Sequence, residues 1–172
     1  MGALILISGP NGSGKSLFAE ELVRQTQGKR YYIATMQPHT EENLQRIEKH
    51  RRQRKDLGFT TLEIPVNVGD APVEDDSVVL LEDVSNLLAN ALFEKGDTME
   101  QAWQEICTLV SHCKLLFAVT IAELHAESYE GETAAYIRAL EELNHRLEQS
   151  ADAFVEMKDG KPVWKKQMLQ RL

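Results

Sequence analysis

Eight residues near the start limit this chain more than any other feature. Gly9-Pro10-Asn11-Gly12-Ser13-Gly14-Lys15-Ser16 follows a short apolar run, Leu4–Ser8, and leads into an amphipathic segment, Lys15–Gln25. The spacing satisfies G-x-x-x-x-G-K-[ST], and the context is the one its chemistry requires, a strand entering a helix. Glycines let the backbone curl so that successive N–H groups point at one anion. The helix beginning at Lys15 turns its positive end to the same anion. The Lys15 ammonium is placed to reach the β- and γ-phosphates of a bound ATP or GTP, and the Ser16 hydroxyl to ligate Mg²⁺. Gly9, Pro10, Asn11, Gly12, Ser13, Gly14, Lys15 and Ser16 are therefore nucleotide-binding candidates, with Lys15 also catalytic.

The rest of the chain alternates strand and helix signals. Strands are expected at Leu4–Ser8, Arg30–Thr35, Thr60–Pro65, Ser77–Val84 and Leu115–Ala122. Helices are expected at Lys15–Gln25, Glu41–Lys55, Leu87–Phe93, Met99–His112 and Thr133–Ser150. The last segment reads as a hairpin turning at Asp159-Gly160, and the polar stretch Glu127–Glu132 as the loosest part. Strands alternating with helices predict a mostly parallel sheet covered on both faces. With the phosphate loop, this is α/β: the three-layer P-loop NTPase fold, closed by a C-terminal hairpin. A chain of 172 residues, 42% hydrophobic, suits one nucleotide-binding domain over residues 1–172.

A net charge of -8 argues against general nucleic-acid binding. No stretch approaches the roughly 20 apolar residues needed to span a bilayer, and no signal peptide is evident. The only cysteines, Cys107 and Cys113, are not paired like metal ligands. They read as buried thiols in a reducing cytoplasm.

Two further groups bear on chemistry. The strand "VVLLED" ends in Glu82 and Asp83, and a phosphate loop usually takes a carboxylate from a neighbouring strand end for the Mg²⁺ shell. Strand alternation points the two to opposite faces, so one of them is expected at the metal. The second group is "ENLQRIEKHRRQRKD". Arg46 and His50 stand four apart and share a helix face, with Lys49, Arg51, Arg52, Arg54 and Lys55 around them. Most of these charges read as a solvated face. The chemical reading is an anion clamp around a histidine, because neutral imidazole is a good nucleophile toward phosphorus and nearby cations stabilise the developing charge. His39 reads as an exposed loop residue, His112 as a helix-end cap, and His145 as surface. His125 has no evident partner. Trp103, Leu109 and Trp164 read as packing.

Four stretches together resemble the bifunctional adenosylcobinamide kinase/adenosylcobinamide-phosphate guanylyltransferase family of cobalamin assembly. They are "ISGPNGSGKS", "YYIATMQP" followed by "RIEKHRRQR", "LLEDVSNLLANALF" with Asn90, and "NHRLEQSAD" through Asn144, Arg146, Leu147, Ala151 and Asp152. The strand and histidine-helix pairing is the most specific of these. The resemblance covers nearly the whole chain in order. It implies phosphorylation of adenosylcobinamide by a nucleoside triphosphate. It then implies transfer of GMP from GTP, through a histidine, onto that phosphate. The histidine falls on His50, the phosphate loop on Gly9–Ser16 and the strand-end carboxylate on Glu82. Arg46 and Arg51 join the nucleotide-binding set, while Ser16, Glu82 and Asp83 form the metal set. Family members assemble as trimers with the histidine helix near a subunit boundary, so a homotrimer is implied.

The sequence departs from the family in two places. After the fifth strand the family has an asparagine-glutamate-valine-glycine segment rich in glycine. Here the chain reads "TIAELHAESYEGET", and only Glu123 matches. The carboxylate strand ends in Glu82-Asp83 where the family commonly has aspartate-cysteine. The residues alone leave two other classes open: a P-loop small-molecule kinase with no guanylyltransferase activity, and a non-catalytic nucleotide-binding protein.

Overall fold

The computed structural model describes residues 2–38 and 40–168. Seven strands form one sheet: β1 (Ala3–Gly9), β2 (Arg30–Ala34), β3 (Phe59–Glu63), β4 (Val78–Glu82), β5 (Leu115–Ile121), β6 (Ala153–Lys158) and β7 (Lys161–Lys166). Their order is β3-β2-β4-β5-β1-β6-β7. Every pairing is parallel except that of β6 with β7, which forms the C-terminal hairpin. The helices are α1 (Lys15–Arg24), α2 (Glu41–Gln53), α3 (Val84–Ala89), α4 (Met99–Ser111) and α5 (Gly131–Ser150). A π-helical segment, Asn90–Lys95, continues α3.

Side-chain alternation builds the three layers. Ile5 and Ile7 of β1 point to the face covered by Ala19, Leu22 and Val23 of α1. Leu4 and Leu6 point to the other face, covered by Leu87 and Leu88 of α3, Ile106 and Leu109 of α4, and Leu140 and Leu143 of α5. A central parallel strand is buried on both faces, which is why these strands read as unbroken apolar runs. Each fully buried Leu or Ile contributes about 1.5–3 kcal/mol. β7 is an edge strand carrying Lys161, Lys165 and Lys166, charges that discourage pairing with another chain. Trp164 of β7 meets the Phe18 ring edge-on at 6.1 Å, and half-buried Trp103 and buried Leu109 pack into the core.

Several boundaries differ from the sequence reading. β4 stops at Glu82 rather than Val84, because Asp83 is the N-cap of α3 and accepts the Asn86 N–H. Helix therefore begins at Val84, earlier than Leu87. α2 ends at Gln53, and a 3₁₀ turn, Lys55–Leu57, closes on Gly58 in the left-handed region (φ 72°). The stretch read as loose holds a 3₁₀ turn, Ala126–Ser128, and α5 starts at Gly131. Cys113 is buried but Cys107 is exposed, since it lies on the outer side of α4. His112 is the C-cap of α4, but the bond there is made by its main-chain N–H to Leu109 O, not by its imidazole. His125 and His145 are exposed, and His39 lies outside the described residues.

The late sequence stretch pins the fold together. The Thr120 hydroxyl donates to Asn144 Oδ1 at 2.6 Å, and Asn144 Nδ2 donates to Ile121 O at 3.0 Å. Asp152 Oδ2 accepts the Leu4 N–H at 2.9 Å. These bonds hold α5 against β5, and the start of β6 against β1, the strand that leads into the phosphate loop. Among the described residues, no helix is long and apolar enough to cross a membrane.

Candidate active site

The C-terminal ends of β1, β4 and β5 lie side by side, with Gly9 opposite Ile121 and Glu82 opposite Val119. The open end of a parallel sheet is where α/β proteins bind ligands. Here it forms the floor of a cavity of about 490 Å³, lined by the phosphate loop, α2 and the β4 strand end.

The loop conformation depends on its glycines. Gly14, the N-cap of α1, has φ 84°, in the left-handed region where a side chain is strained. At Gly9 a Cβ would lie 2.6 Å from Ser13 Oγ and 3.1 Å from Met157 O, so only glycine fits. Asn11 to Ser16 line the cavity, while Gly9 and Pro10 shape the turn behind them. Lys15 is buried, and its ammonium reaches back to Pro10 O at 3.4 Å. Burial lowers its pKa, the carboxylates of Asp83 and Glu82 oppose that shift, and Arg46 adds to it. Ser13 Oγ is buried with no hydrogen-bond partner among the described residues.

Across the cavity, α2 contributes Arg46, Lys49 and His50, with Arg54 at its C-cap. Thr40 is the N-cap of α2 and accepts the Asn43 N–H at 3.0 Å. His50 is half-buried, with Nδ1 3.6 Å from Glu82 Oε2. The histidine helix and the carboxylate strand, more than thirty residues apart in sequence, therefore meet at one point. Arg51 turns away and pairs with Glu63 at 2.9 Å, and Arg52 pairs with Glu48 at 3.3 Å. Those two serve the helix surface.

Glu82 and Asp83 both line the cavity, contrary to the expectation that only one would face it. Strand alternation ends with β4 at Glu82, so it does not govern Asp83. The two carboxylates are used differently. Asp83 Oδ1 accepts from the Ser85 hydroxyl at 2.6 Å and the Asn86 N–H at 2.7 Å. Burial raises the Asp83 pKa, those two bonds lower it, Glu82 raises it, and Lys15 lowers it. Glu82 Oε2 accepts from the Tyr32 hydroxyl at 2.5 Å, while Glu82 Oε1 is buried without a partner among the described residues. That buried carboxylate oxygen, in a cavity that Ser16 also lines, suits a hard, oxygen-seeking cation such as Mg²⁺. No group of three or more His, Cys, Asp or Glu side chains placed to hold a metal occurs among the described residues.

Sequence reasoning missed several members of the site. Tyr32 carries Glu82, and the Arg54 guanidinium lies 3.6 Å over the Tyr32 ring centroid. Thr35 brackets the strand end: its hydroxyl donates to Asp83 O at 2.9 Å and accepts the Asp83 N–H at 2.8 Å. Asn90 then ties Thr35 O (2.8 Å) to Pro65 O (3.0 Å). The threonine of "YYIAT" and the asparagine after the carboxylate strand are thus supports for the site. Spacing held a signal for Arg54, which continues the four-residue series Arg46, His50, Arg54.

A family model described as cobinamide kinase / cobinamide phosphate guanyltransferase matches residues 5–164, nearly the whole chain. The chain belongs to this family. It is a transferase of phosphorus-containing groups, and its family's substrates are a nucleotide and a cobinamide, in cobalamin biosynthesis. Among curated proteins no significant sequence match is found. Solved structures agree on the fold. A Pyrococcus horikoshii OT3 protein studied as project PH0250 superposes with TM-score 0.56 at 9% identity, over 96% of this chain and 86% of that one. An ATPase from the type III secretion system of pathogenic bacteria gives TM-score 0.54 at 9% identity, over 92% of this chain and 51% of that one. At such identities the likeness concerns architecture alone.

Proposed function

We propose that this protein carries out both family reactions in the one cavity, and that His50 is guanylylated between them. In the kinase reaction the loop amides and Lys15 hold the triphosphate of ATP or GTP, and the aminopropanol hydroxyl of adenosylcobinamide attacks the γ-phosphorus: its O–P bond forms, the β–γ bridging P–O bond breaks, and the nucleoside diphosphate and the hydroxyl proton leave. Ser16 and Glu82 Oε1 are the groups that would hold Mg²⁺, which when bound neutralises charge on the phosphates. Asp83, already engaged as a helix cap, contributes charge and positioning.

In the second reaction His50 Nε2 attacks the α-phosphorus of GTP. The P–N bond forms, the α–β bridging P–O bond breaks, and pyrophosphate leaves. An oxygen of adenosylcobinamide phosphate then attacks the same phosphorus. The P–N bond breaks, adenosylcobinamide-GDP forms, and the imidazole is restored. Splitting one transfer into two is covalent catalysis. With Nδ1 toward Glu82, the imidazole presents Nε2 to the substrate.

One observation carries this reading: a histidine on a basic helix faces a phosphate-binding loop across the same cavity, 3.6 Å from the strand-end carboxylate. A kinase alone has no need of that imidazole. The family resemblance further supports a homotrimer, with α2 near the subunit boundary, working in the cytoplasm.

The test is incubation with Mg²⁺ and GTP labelled at the α-phosphate, beside His50→Ala. The expected result is a covalent label that is acid-labile, alkali-stable and absent from the variant. A wild-type protein that binds GTP and takes up no label would remove the histidine step and leave a kinase.

A further inference from the structure

The cavity contains a cation that neither the phosphate-loop motif nor the histidine explains. Arg54 is 5% exposed, yet it lines the cavity. Its guanidinium lies on the Tyr32 ring, with the central carbon 3.6 Å from the ring centroid. A buried guanidinium normally spends its donors on nearby acceptors. Arg30 does so, donating to Leu57 O at 2.8 Å, Thr26 O at 2.8 Å and Arg24 O at 3.4 Å. Among the described residues, none accepts a hydrogen bond from the Arg54 side chain. The acidic groups facing it are Glu20 of α1 and, through the Tyr32 hydroxyl, Glu82.

Stacking matters for what such a group can do. A guanidinium held flat on a ring has its five N–H donors around the rim, free to meet a planar pair of oxygens. Its position is set by the Tyr32 ring, and the Tyr32 hydroxyl is itself held by Glu82. The Arg54 main-chain N–H donates to His50 O at 3.2 Å, so Arg54 follows His50 by one helical turn, and both side chains line the cavity.

We propose that Arg54 clamps the nonbridging oxygens of the phosphate that His50 attacks, in an anion subsite distinct from the phosphate-loop cradle. The ligand class is a nucleoside 5′-phosphate, bound by a fork-to-fork contact with its α-phosphate. Negative charge that builds on those oxygens during transfer then meets a cation already in position. The proposal rests on the reading of the cavity as a nucleotidyl-transfer site. It assigns Arg54 a contact with the reacting phosphate rather than a packing role.

GMP carries only the phosphate in question, so it is the probe, and it reports binding without chemistry. Calorimetric titration with GMP, and separately with Mg²⁺ and a non-hydrolysable ATP analogue, is expected to separate the two subsites. Arg54→Gln should weaken GMP roughly tenfold or more, because a bidentate charged contact is lost, and leave the ATP analogue within about threefold. Arg54→Lys, which keeps the charge without the fork, should fall between and guards against a Gln variant that fails to fold. Unchanged GMP affinity in a folded variant overturns the proposal. So does equal loss of both ligands, which would mark Arg54 as packing, and so does a wild-type protein that binds no GMP. A wild type that binds GMP through Arg54 but takes up no label from GTP would instead end the histidine step and leave this subsite standing.

Discussion

The two oxygens of Glu82 do different work, and the difference is set by one neighbour. Oε2 takes the Tyr32 hydroxyl at 2.5 Å and faces His50, while Oε1 is buried without a partner. Burial, then the nearby carboxylate, raises the Tyr32 pKa far above that of an ordinary phenol, so the hydroxyl keeps its proton and stays a donor. Tyr32→Phe therefore leaves a buried carboxylate with neither oxygen bonded. The expected cost is about 1–3 kcal/mol, read as a lower urea midpoint at unchanged m-value in Mg²⁺-free buffer. A variant as stable as wild type would show that water satisfies Glu82 without help. How much of this site could be read from sequence follows from distance along the chain. The phosphate loop was legible because its chemistry lies in eight consecutive residues. His50 was singled out by its basic helix together with the family resemblance, and the structure places it on the cavity wall. Tyr32 was not, because only the pairing of β2 with β4 brings it near Glu82. Tyr32 shares a face with Ala34, and Ala34 is the register partner of Glu82. That relation does not exist until the strands are ordered.

At the scale of elements, α2 stands apart. It supplies Arg46, Lys49 and His50 to the cavity, yet none of its residues is buried, and Leu44 is 53% exposed. Its neighbours in the fold are held by apolar faces, as with α4 and α5 in the core. α2 is held instead by its cap, by Asn43 Nδ2 donating to Gln37 O at 3.3 Å, and by the Arg51–Glu63 pair. Exposed helices with so little burial open locally at low free energy. The amides of α2 are thus expected to exchange with deuterium faster than those of α1, α4 and α5. Thr40→Ala removes the cap and should cost about 1 kcal/mol within that helix. Global unfolding should be nearly unchanged, while the rate of His50 labelling falls. If α2 amides prove as protected as those of α4, the helix is covered by something beyond this chain, as the implied trimer would do. The sequence pattern found all five helices and missed where α3 begins. It followed the apolar run "SVVLLEDV" to its end, whereas the cap bond from Asn86 to Asp83 starts the helix inside that run. A single local hydrogen bond outweighed the hydrophobic pattern.

At the scale of the whole molecule, five parallel strand pairings and one hairpin direct their charged ends to one side of the sheet. The alternation of strands and helices was enough to read this architecture. The strand order was not readable, because it depends on which apolar faces meet. One consequence of that order is the burial of Glu20. It lies on α1, which packs against β1, β4 and β5 beneath the cavity, and it is only 6% exposed. Burial first, then Glu82, raises its pKa from the ordinary 4.5 to about 7, against the opposing pull of Arg54 and Arg24. Below about pH 4.5 both folded and unfolded chains hold this proton, and Glu20 has no effect on stability. Between there and about pH 7 the folded chain keeps a proton that the unfolded chain releases, so stability falls as pH rises, and above pH 7 the loss is complete. The size is on the order of 3 kcal/mol from the shift. Glu20→Gln keeps the shape and removes the charge. It is expected to flatten the fall in stability between pH 5 and pH 8, and to raise stability at pH 8 more than at pH 5. Urea denaturation of Mg²⁺-free protein at the two pH values measures both. Asp83, raised mainly by burial, leaves a residual slope in the variant. Parallel pH profiles for the two proteins would mean that Glu20 is ionised in the fold, neutralised by Arg54. The Arg54 guanidinium would then already have its anion within the protein, and its subsite would have nothing to offer a phosphate.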